Sequence, residues 1–287
     1  MERPHDNNEG KRMIVIAALN GTLTSETAAH YALRYCSVYR FDLHLLHVRN
    51  DTDPIEPVMQ SMKNIEMEAL RMEIKVECAL LEGQPLKALK AYVRKKPVDI
   101  LFCSTPATRR FFLDSFSDKV TRIRIGCDVA VVRIASLESA RRHSSLMLSI
   151  RDARLSVQKF VFFASLAKAY EIPAEVYSVS VMSWAALAKL DRASIKESLR
   201  NINQRLGHYQ KLAELADFKF RLKHSITTRE NPQIVHHALR VRHDLVVVGG
   251  PRLKFMAPFR GTQPIEQLMR QTPVNLIAYY PRKGGHD

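Results

Sequence analysis

The chain has 287 residues, of which 46% are apolar, and carries a formal net charge of +15 at pH 7. This length predicts two domains, each with enough apolar residues to bury a core of its own. No stretch approaches the roughly 18 uninterrupted apolar residues of a membrane span, and the polar residues 1–12 are unlike a secretory signal.

The first half of the chain alternates short apolar runs with amphipathic stretches. Uninterrupted apolar runs of this length are typical of strands buried on both faces of a parallel sheet. The pattern predicts strands at 14–19, 43–48, 74–80, 99–104 and 127–132, with helices at 25–39, 57–71 and 86–95 and a helical stretch before the last strand. Pro85 suits the first turn of the third helix, where its missing N–H costs nothing.

The second half follows the same plan. The pattern predicts strands at 146–150, 174–179, 218–226, 244–249 and 272–277, with helices at 156–170 and 233–241, a turn at 229–232, and a helical region at 184–218. Each half therefore reads as alternating strands and helices that form an α/β sandwich with right-handed crossovers.

The two halves form an internal repeat. The run after Asp244 follows the run after Asp99 by 145 residues, whereas the front elements are shifted by 131. About fourteen extra residues therefore lie in the second copy, most plausibly in the helical region 184–218. A repeat this long indicates a duplicated domain, because solenoid repeats have periods of about 20 to 50 residues. We place the domains at 1–138 and 145–287, with a short polar join between them that predicts close packing of the two.

The charge is placed unevenly between the halves. Residues up to Ala140 carry 20 basic and 18 acidic side chains, while the remainder carries 24 basic and 11 acidic ones. Such an excess attracts anions, including nucleotides and anionic membranes, although a plainly solvated surface explains it equally well. The four cysteines lie in or beside apolar runs without the spacing of a zinc site, which predicts buried free thiols in a reducing cytoplasm.

Several segments together resemble the universal stress protein family in its tandem, two-domain form. Asn20-Gly21-Thr22 is similar to the turn that ends the family's first strand, with Asn20 where aspartate is usual. Glu82-Gly83-Gln84-Pro85 resembles the turn before its third helix. Asp244 to Gly249, followed by Gly261-Thr262, resembles its phosphate loop. The resemblance covers almost the whole chain and rests on the order of the elements more than on any one motif.

The resemblance implies two Rossmann-like domains of the adenine nucleotide alpha hydrolase type, each a five-stranded parallel sheet flanked by helices. It also implies a cytoplasmic protein, dimer-like pairing of domains and, in some members, binding of ATP or another adenine nucleotide. The second-half site that it implies consists of Asp152, Val179, Gly249, Gly250, Arg252, Gly261 and Thr262. Glycines in such a loop let backbone N–H groups approach phosphate oxygens.

Both implied sites depart from the family pattern. In the second half, Arg252 replaces a glycine, and Asp152 reaches the acidic position only if the turn slips by one residue, because Arg151 aligns with Asn20. The first-half site is Asn20, Val48, Ser104 and Ser117. There Phe116 replaces a glycine and obstructs a phosphate, so we expect a degenerate site.

No residue set indicates catalysis or a metal. His236 and His237 point about 100° apart on a helix and no carboxylate at helical spacing joins them, so these histidines, with His224 and His243, are interpreted as surface or half-buried side chains. His47 is interpreted as structural. The aromatic residues Phe160, Phe162 and Phe163 fall in an apolar helix, so nucleic acid is not the expected partner.

Three hypotheses follow. The first is a cytoplasmic stress-response protein that acts by binding, with an adenine nucleotide as the ligand of its second half, domains paired within the chain, and a homodimer as a further form. The alternative is a regulatory module that docks on a membrane transporter or an anionic membrane surface. A nucleotide hydrolase using Asp152 is the weakest, because the chain lacks a convincing metal-holding carboxylate pair.

Overall fold

Strands and helices alternate along the chain. The computed structural model describes residues 12–49, 54–105, 115–151, 156–189, 191–250 and 264–282. The first half contains β1 (Ile14–Ala18), α1 (Leu23–Tyr39), β2 (Asp42–Val48), α2 (Glu56–Arg71), β3 (Val76–Leu81), α3 (Pro85–Lys95), β4 (Val98–Ser104), α4 (Phe116–Arg122) and β5 (Asp128–Arg133), followed by the short α5 (Leu137–Arg141). The second half contains β6 (Leu146–Arg151), α6 (Val157–Tyr170), β7 (Ala174–Val181), α7 (Trp184–Ala188), α8 (Arg192–Leu215), β8 (Arg221–Thr227), α9 (Glu230–Val241), β9 (Leu245–Gly249), α10 (Pro264–Gln271) and β10 (Asn275–Tyr280).

Local side-chain chemistry sets several helix ends. Thr22 caps α1, where its hydroxyl accepts from the Ser25 N–H, and Pro85 opens α3. The helices α1 and α6 both end at a residue in the left-handed conformation, Arg40 and Glu171, each with φ of 54°. These two caps are 131 residues apart, which is the same offset as that between the front elements of the two halves.

The described strands form one sheet in the order β3-β2-β1-β4-β5-β10-β9-β6-β7-β8. Within each half all pairings are parallel, and the order of the second half mirrors that of the first. Each half is thus the predicted five-stranded parallel α/β unit. The two units join edge to edge through β5 and β10, which pair antiparallel.

Helices cover both faces of this sheet. One core cluster includes residues from α1, α2, α6 and α8, and the other includes residues from α3, α4, α9 and α10. The strands between them are buried on both sides, which explains why they appear in the sequence as continuous apolar runs.

The junction between the halves is aromatic and polar at once. Phe162 on α6 stacks on Tyr279 of β10, with ring centroids 4.8 Å apart, and Tyr39 on α1 lies 2.6 Å from the Ser165 hydroxyl on α6. Tyr279 also donates its hydroxyl proton to Asp128 of β5. Buried aromatic side chains of this kind each stabilise the fold by roughly 1.5–3 kcal/mol.

The polar join is built into the junction instead of crossing it as a loose linker. It contains α5, and His143 is buried, where Nδ1 donates to Asp244 at 3.1 Å and Nε2 accepts from the Tyr31 hydroxyl at 2.6 Å. The amide of Asn275 bonds to the backbone N–H groups of Ala135 and Ser136. The predicted close packing is therefore present.

Three local predictions were wrong. Cys78 is exposed, because β3 is an edge strand, whereas the other three cysteines are buried as expected. Although the residue is exposed, partial desolvation of its sulfur, together with a hydrogen bond to Glu66, raises the pKa of Cys78 to about 12. The predicted turn at 229–232 is instead the first turn of α9, which begins at Glu230. The strand predicted at 218–226 begins only at Arg221.

Candidate functional site

The crevice expected to hold a nucleotide lies where the strand order of the second half reverses. The strand β6 pairs with β7 on one side and with β9 on the other, all in parallel. In sheets of this kind ligands bind outside the carboxyl ends of the strands at such a point, so the expected crevice is between the ends of β6 and β9. Gly249 ends β9, Arg151 ends β6, and Val179 pairs with Arg151 from β7.

Lys159, in the first turn of α6, covers Gly249. A Cβ atom on Gly249 would lie 2.0 Å from Cε and 2.8 Å from Nζ of this lysine. At the adjacent Gly250, a Cβ atom would meet Cδ1 of Ile265 at 3.3 Å. The lysine side chain therefore lies in the space that a Cβ atom on Gly249 would need, and its ammonium group at this edge of the sheet is suited to contact an anion.

Within the part of the chain that the structure describes, no side chain caps the amino terminus of α6, unlike that of α1, and we call this its open start. The side chain of the N-cap residue Ser156 makes no capping hydrogen bond, and the first turn holds no acidic residue. The Ser156 N–H donates to the Tyr209 hydroxyl at 3.1 Å. Because the N–H groups of a helix start carry a partial positive charge, this end of α6 favours an anion.

Arg151 adds charge at the same edge. Its Nη1 lies 3.5 Å from Oε2 of Glu230 at the start of α9, and half of its side chain is exposed. Of the second-half site expected from the sequence, the structure places Val179, Gly249 and Gly250 at one edge. Asp152, Arg252, Gly261 and Thr262 lie outside the described residues.

The corresponding edge of the first half is built differently. Val48 ends β2 and Ser104 ends β4, but the start of α4 is closed by a capping box. The Ser115 hydroxyl accepts from the Asp118 N–H at 3.2 Å, and the Asp118 carboxylate accepts from the Ser115 N–H at 3.1 Å. Ser117 is buried, with its hydroxyl 2.8 Å from that of Ser115. A carboxylate therefore occupies the helix start.

The side chain of Asn20 stabilises the turn between β1 and α1. Its side-chain oxygen accepts from the N–H of Thr22 at 3.2 Å and from the Thr22 hydroxyl at 2.7 Å. His47 is buried and its Nδ1 lies 2.9 Å from the Leu19 carbonyl oxygen, so it holds the end of β1, as the sequence interpretation has it.

A second polar cluster lies at the opposite edge of the second-half sheet. Glu175, the second residue of β7, is fully buried, with Oε1 2.5 Å from Nε2 of His237 and 3.4 Å from Nε2 of His243. Burial acts to raise the pKa of the Glu175 carboxyl, but hydrogen bonds from His243 and His237 outweigh it and lower the pKa to about 2. Burial also lowers the pKa of His237.

The sequence interpretation of surface or half-buried side chains is therefore wrong for two of these four histidines. His237 and His243 are buried and His236 is exposed, while His224 pairs with Ser178 on the other face of the sheet. The sequence analysis missed Glu175, which lies 62 residues before His237. A glutamate inside the apolar run of β7 was the available signal, because a buried carboxylate requires partners.

Comparison with known proteins identifies the fold. No protein-family model matches the sequence, and no curated protein matches it. A universal stress protein from Archaeoglobus fulgidus DSM 4304 superposes with a TM-score of 0.62 at 10% identity, covering 95% of this chain and 98% of that one. The chain has the universal stress protein fold.

Two further solved structures span the chain at similar TM-scores. A functionally unknown protein from Pseudomonas aeruginosa PAO1 gives a TM-score of 0.61 at 11% identity, covering 94% of this chain and 93% of that one. The cytoplasmic domain of a prokaryotic cation chloride cotransporter gives 0.58 at 11% identity, covering 96% and 97%. At such identities the likeness concerns the fold alone. Among the helices of the described residues, none has the length and apolar character needed to span a bilayer.

Proposed function

We propose that this chain is a cytoplasmic stress-response protein of the universal stress protein type, which acts by binding and not by catalysis. Its ligand is ATP or another adenine nucleotide, held by the second half. The observation that carries this proposal is the position of Lys159 over Gly249, beside the open start of α6.

These groups suit the phosphates of a nucleotide. The lysine ammonium forms charge-assisted hydrogen bonds to phosphate oxygens, and the absence of a Cβ on Gly249 leaves room for the lysine side chain beside β9. Arg151, the last residue of β6, lies at the same edge of the sheet. Hydrogen bonds to charged groups contribute about 1.5–3 kcal/mol each, so Lys159 is expected to account for a tenfold or larger part of the affinity.

The first half is proposed not to bind nucleotide. The Asp118 carboxylate at the start of α4 accepts the hydrogen bond that an anion would otherwise accept, and it repels phosphate. Phe116, the first residue of α4, adds bulk at the same place. One nucleotide per chain is therefore the expected stoichiometry.

Calorimetric titration with Mg-ATP tests the proposal. We expect one binding site per chain, and Lys159→Ala should weaken ATP binding about tenfold. The control Lys90→Ala, which removes an exposed lysine from α3, should leave ATP binding unchanged. Absence of heat at millimolar ATP, or equal loss in the two variants, refutes nucleotide binding at this crevice. Phosphate release from ATP should equal that of a buffer blank, as expected of a protein that binds without hydrolysis.

A second candidate function is docking on an anionic membrane surface or a membrane transporter, and α8 favours it. The first three turns of this helix project from the body with nearly all their side chains exposed. Arg192, Lys196 and Arg200 form a basic stripe at helical spacing beside Ile195 and Leu199, which are 38% and 41% exposed. Such a combination suits the interface of an anionic bilayer.

Co-sedimentation with vesicles containing phosphatidylserine tests this second function. Replacing Arg192, Lys196 and Arg200 with alanine should abolish a salt-sensitive association. The matched control replaces Lys87, Lys90 and Arg94, an exposed basic set on α3, and should leave it intact. Equal loss in both triple variants would indicate a dependence on net charge alone, and no association of the unaltered chain rules out membrane docking.

A further inference from the structure

The buried cluster at the amino-terminal edge of the second-half sheet lies away from the nucleotide crevice, which is at the carboxyl edge. We propose that Glu175, His237 and His243 form a binding site for a divalent transition-metal ion of the zinc class. One donor atom from each residue lies within 4.8 Å of the others, and all three side chains are buried. Two imidazoles and a carboxylate are a donor set that suits zinc.

The three donor atoms lie within 4.8 Å of one another, and one donor–donor distance already equals that of a bound ion. Ligands bonded at about 2.0–2.1 Å in a tetrahedral arrangement lie about 3.3 Å apart. The distance of 3.4 Å between Nε2 of His243 and Oε1 of Glu175 already matches. The corresponding distance to His237 is 2.5 Å, so this ring must withdraw by about 0.8 Å for the ion to enter.

The surroundings orient the two rings. Nδ1 of His243 lies 2.7 Å from the Ser145 hydroxyl, which accepts or donates a proton as needed. When an ion takes Nε2, the imidazole proton moves to Nδ1 and donates to Ser145, the partner that bound histidines require. His237 stacks on Tyr177, with ring centroids 3.7 Å apart and an interplanar angle of 3°.

Two basic side chains border the cluster on its solvent side. Lys223 and Arg221, on the edge strand β8, approach Oε2 of Glu175 at 3.4 Å and 3.7 Å. Their side chains are 42% and 60% exposed, so both can turn into solvent when an ion enters, and a water can complete the coordination from that side. Their positive charge opposes the ion, which predicts that removing one of them tightens metal binding.

Titration of the tag-free chain with Zn²⁺, and with Co²⁺ followed by its visible absorption, tests the site. We expect one ion per chain with the spectrum of nitrogen and oxygen ligands, and a rise in the midpoint of thermal unfolding with Zn²⁺. Loss of a residue that merely hydrogen-bonds to a metal ligand weakens metal binding about tenfold to hundredfold. His237→Gln removes a ligand itself and should therefore weaken Zn²⁺ binding by at least this much. The matched control His236→Gln changes the adjacent, exposed histidine and should bind as the unaltered chain does.

Lys223→Met distinguishes a metal site from a buried hydrogen-bonded cluster without depending on a variant that loses a ligand. Removing one unit charge at about 4 Å from a doubly charged ion should tighten Zn²⁺ binding about thirtyfold, because the Coulomb energy in water is twice that of two unit charges. The proposal is overturned if the unaltered chain binds no Zn²⁺ or Co²⁺, if His236→Gln weakens binding as much as His237→Gln, or if Lys223→Met weakens it.

Discussion

Burial and hydrogen bonding act in opposite directions on the carboxyl group of Asp244, which precedes β9. Burial acts to raise its pKa, but hydrogen bonds from His143 and Ser144 prevail, so the pKa lies below its ordinary value. Ser144 donates both its N–H and its hydroxyl to the carboxylate, each at 2.7 Å. Because the folded pKa is depressed, this stability is present above about pH 3.9 and is lost as the pH falls further.

We expect Asp244→Asn to lower the free energy of unfolding by about 1–3 kcal/mol at pH 7, since hydrogen bonds to a charged group are lost. The difference from the unaltered chain should be constant above about pH 4 and should shrink as the pH falls below it, where the carboxylate takes up its proton. Urea denaturation at these pH values measures both effects. The control Glu82→Gln, at an exposed turn, should leave the free energy of unfolding and its pH dependence unchanged. If Asp244→Asn lowered the free energy of unfolding equally at every pH, the proposed role of the carboxylate would be contradicted.

Two glycines predict opposite effects of the same substitution. Gly21 has φ of 77°, and an added Cβ would lie 2.9 Å from Cβ of Pro57, whereas Gly207 lies within α8 with nothing within 4 Å of an added Cβ. Gly21→Ala should therefore lower the free energy of unfolding by about 1–3 kcal/mol. Gly207→Ala should raise it by up to about 1 kcal/mol. Chemical denaturation of both variants measures the difference, and effects of the same sign would refute it.

At the scale of elements, α8 is one helix with two environments. Its amino-terminal turns project, while Leu206, Tyr209 and Ala213 are buried against the body. The second half is longer than the first in this region, where α8 has 24 residues against 16 in α2 and the short α7 precedes it. The extra residues therefore form α7 and lengthen a helix into solvent instead of enlarging the core.

Leucine-to-alanine changes along α8 should show this division. Leu206→Ala is expected to lower the free energy of unfolding by about 2–5 kcal/mol, because Leu206 is fully buried. Leu199→Ala, at an exposed position seven residues earlier, should change it by no more than about 0.5 kcal/mol. Urea denaturation of the two variants provides the test, and a large loss for Leu199→Ala would mean that the projecting turns are covered by another surface.

The order and type of the elements could be predicted because buried parallel strands and amphipathic helices leave distinct periodicities. The antiparallel pairing of β5 with β10 could not be predicted from the sequence. An apolar run such as that of β10 predicts a buried strand but does not show which other strand pairs with it. Glu175 escaped prediction for a related reason. Its partners, His237 and His243, come from α9 and the turn after it, and only the crossover of the chain brings them to β7.

At the scale of the whole molecule, the antiparallel pairing of β5 with β10 joins the two units into one hydrogen-bonded sheet. The helices α1 and α6 pack against each other across it, and the ring of Phe162 contacts both Tyr35 and Tyr279. This pairing satisfies the edge strands β5 and β10 within one chain, an arrangement that otherwise requires a second molecule. Each half would lose a covered edge on its own.

We therefore expect the two halves to unfold together. Ile65, fully buried on α2, belongs to the first half, and Ile65→Ala should lower the free energy of unfolding by about 2–5 kcal/mol. Native-state hydrogen exchange should show the same decrease for the slowest amides of β6 and β9 as for those of β1 and β4, because a shared global opening exposes them all. His236→Ala, an exposed change, should leave both sets unaltered. A decrease confined to β1 and β4 would show that the halves open independently and that the junction does not couple them.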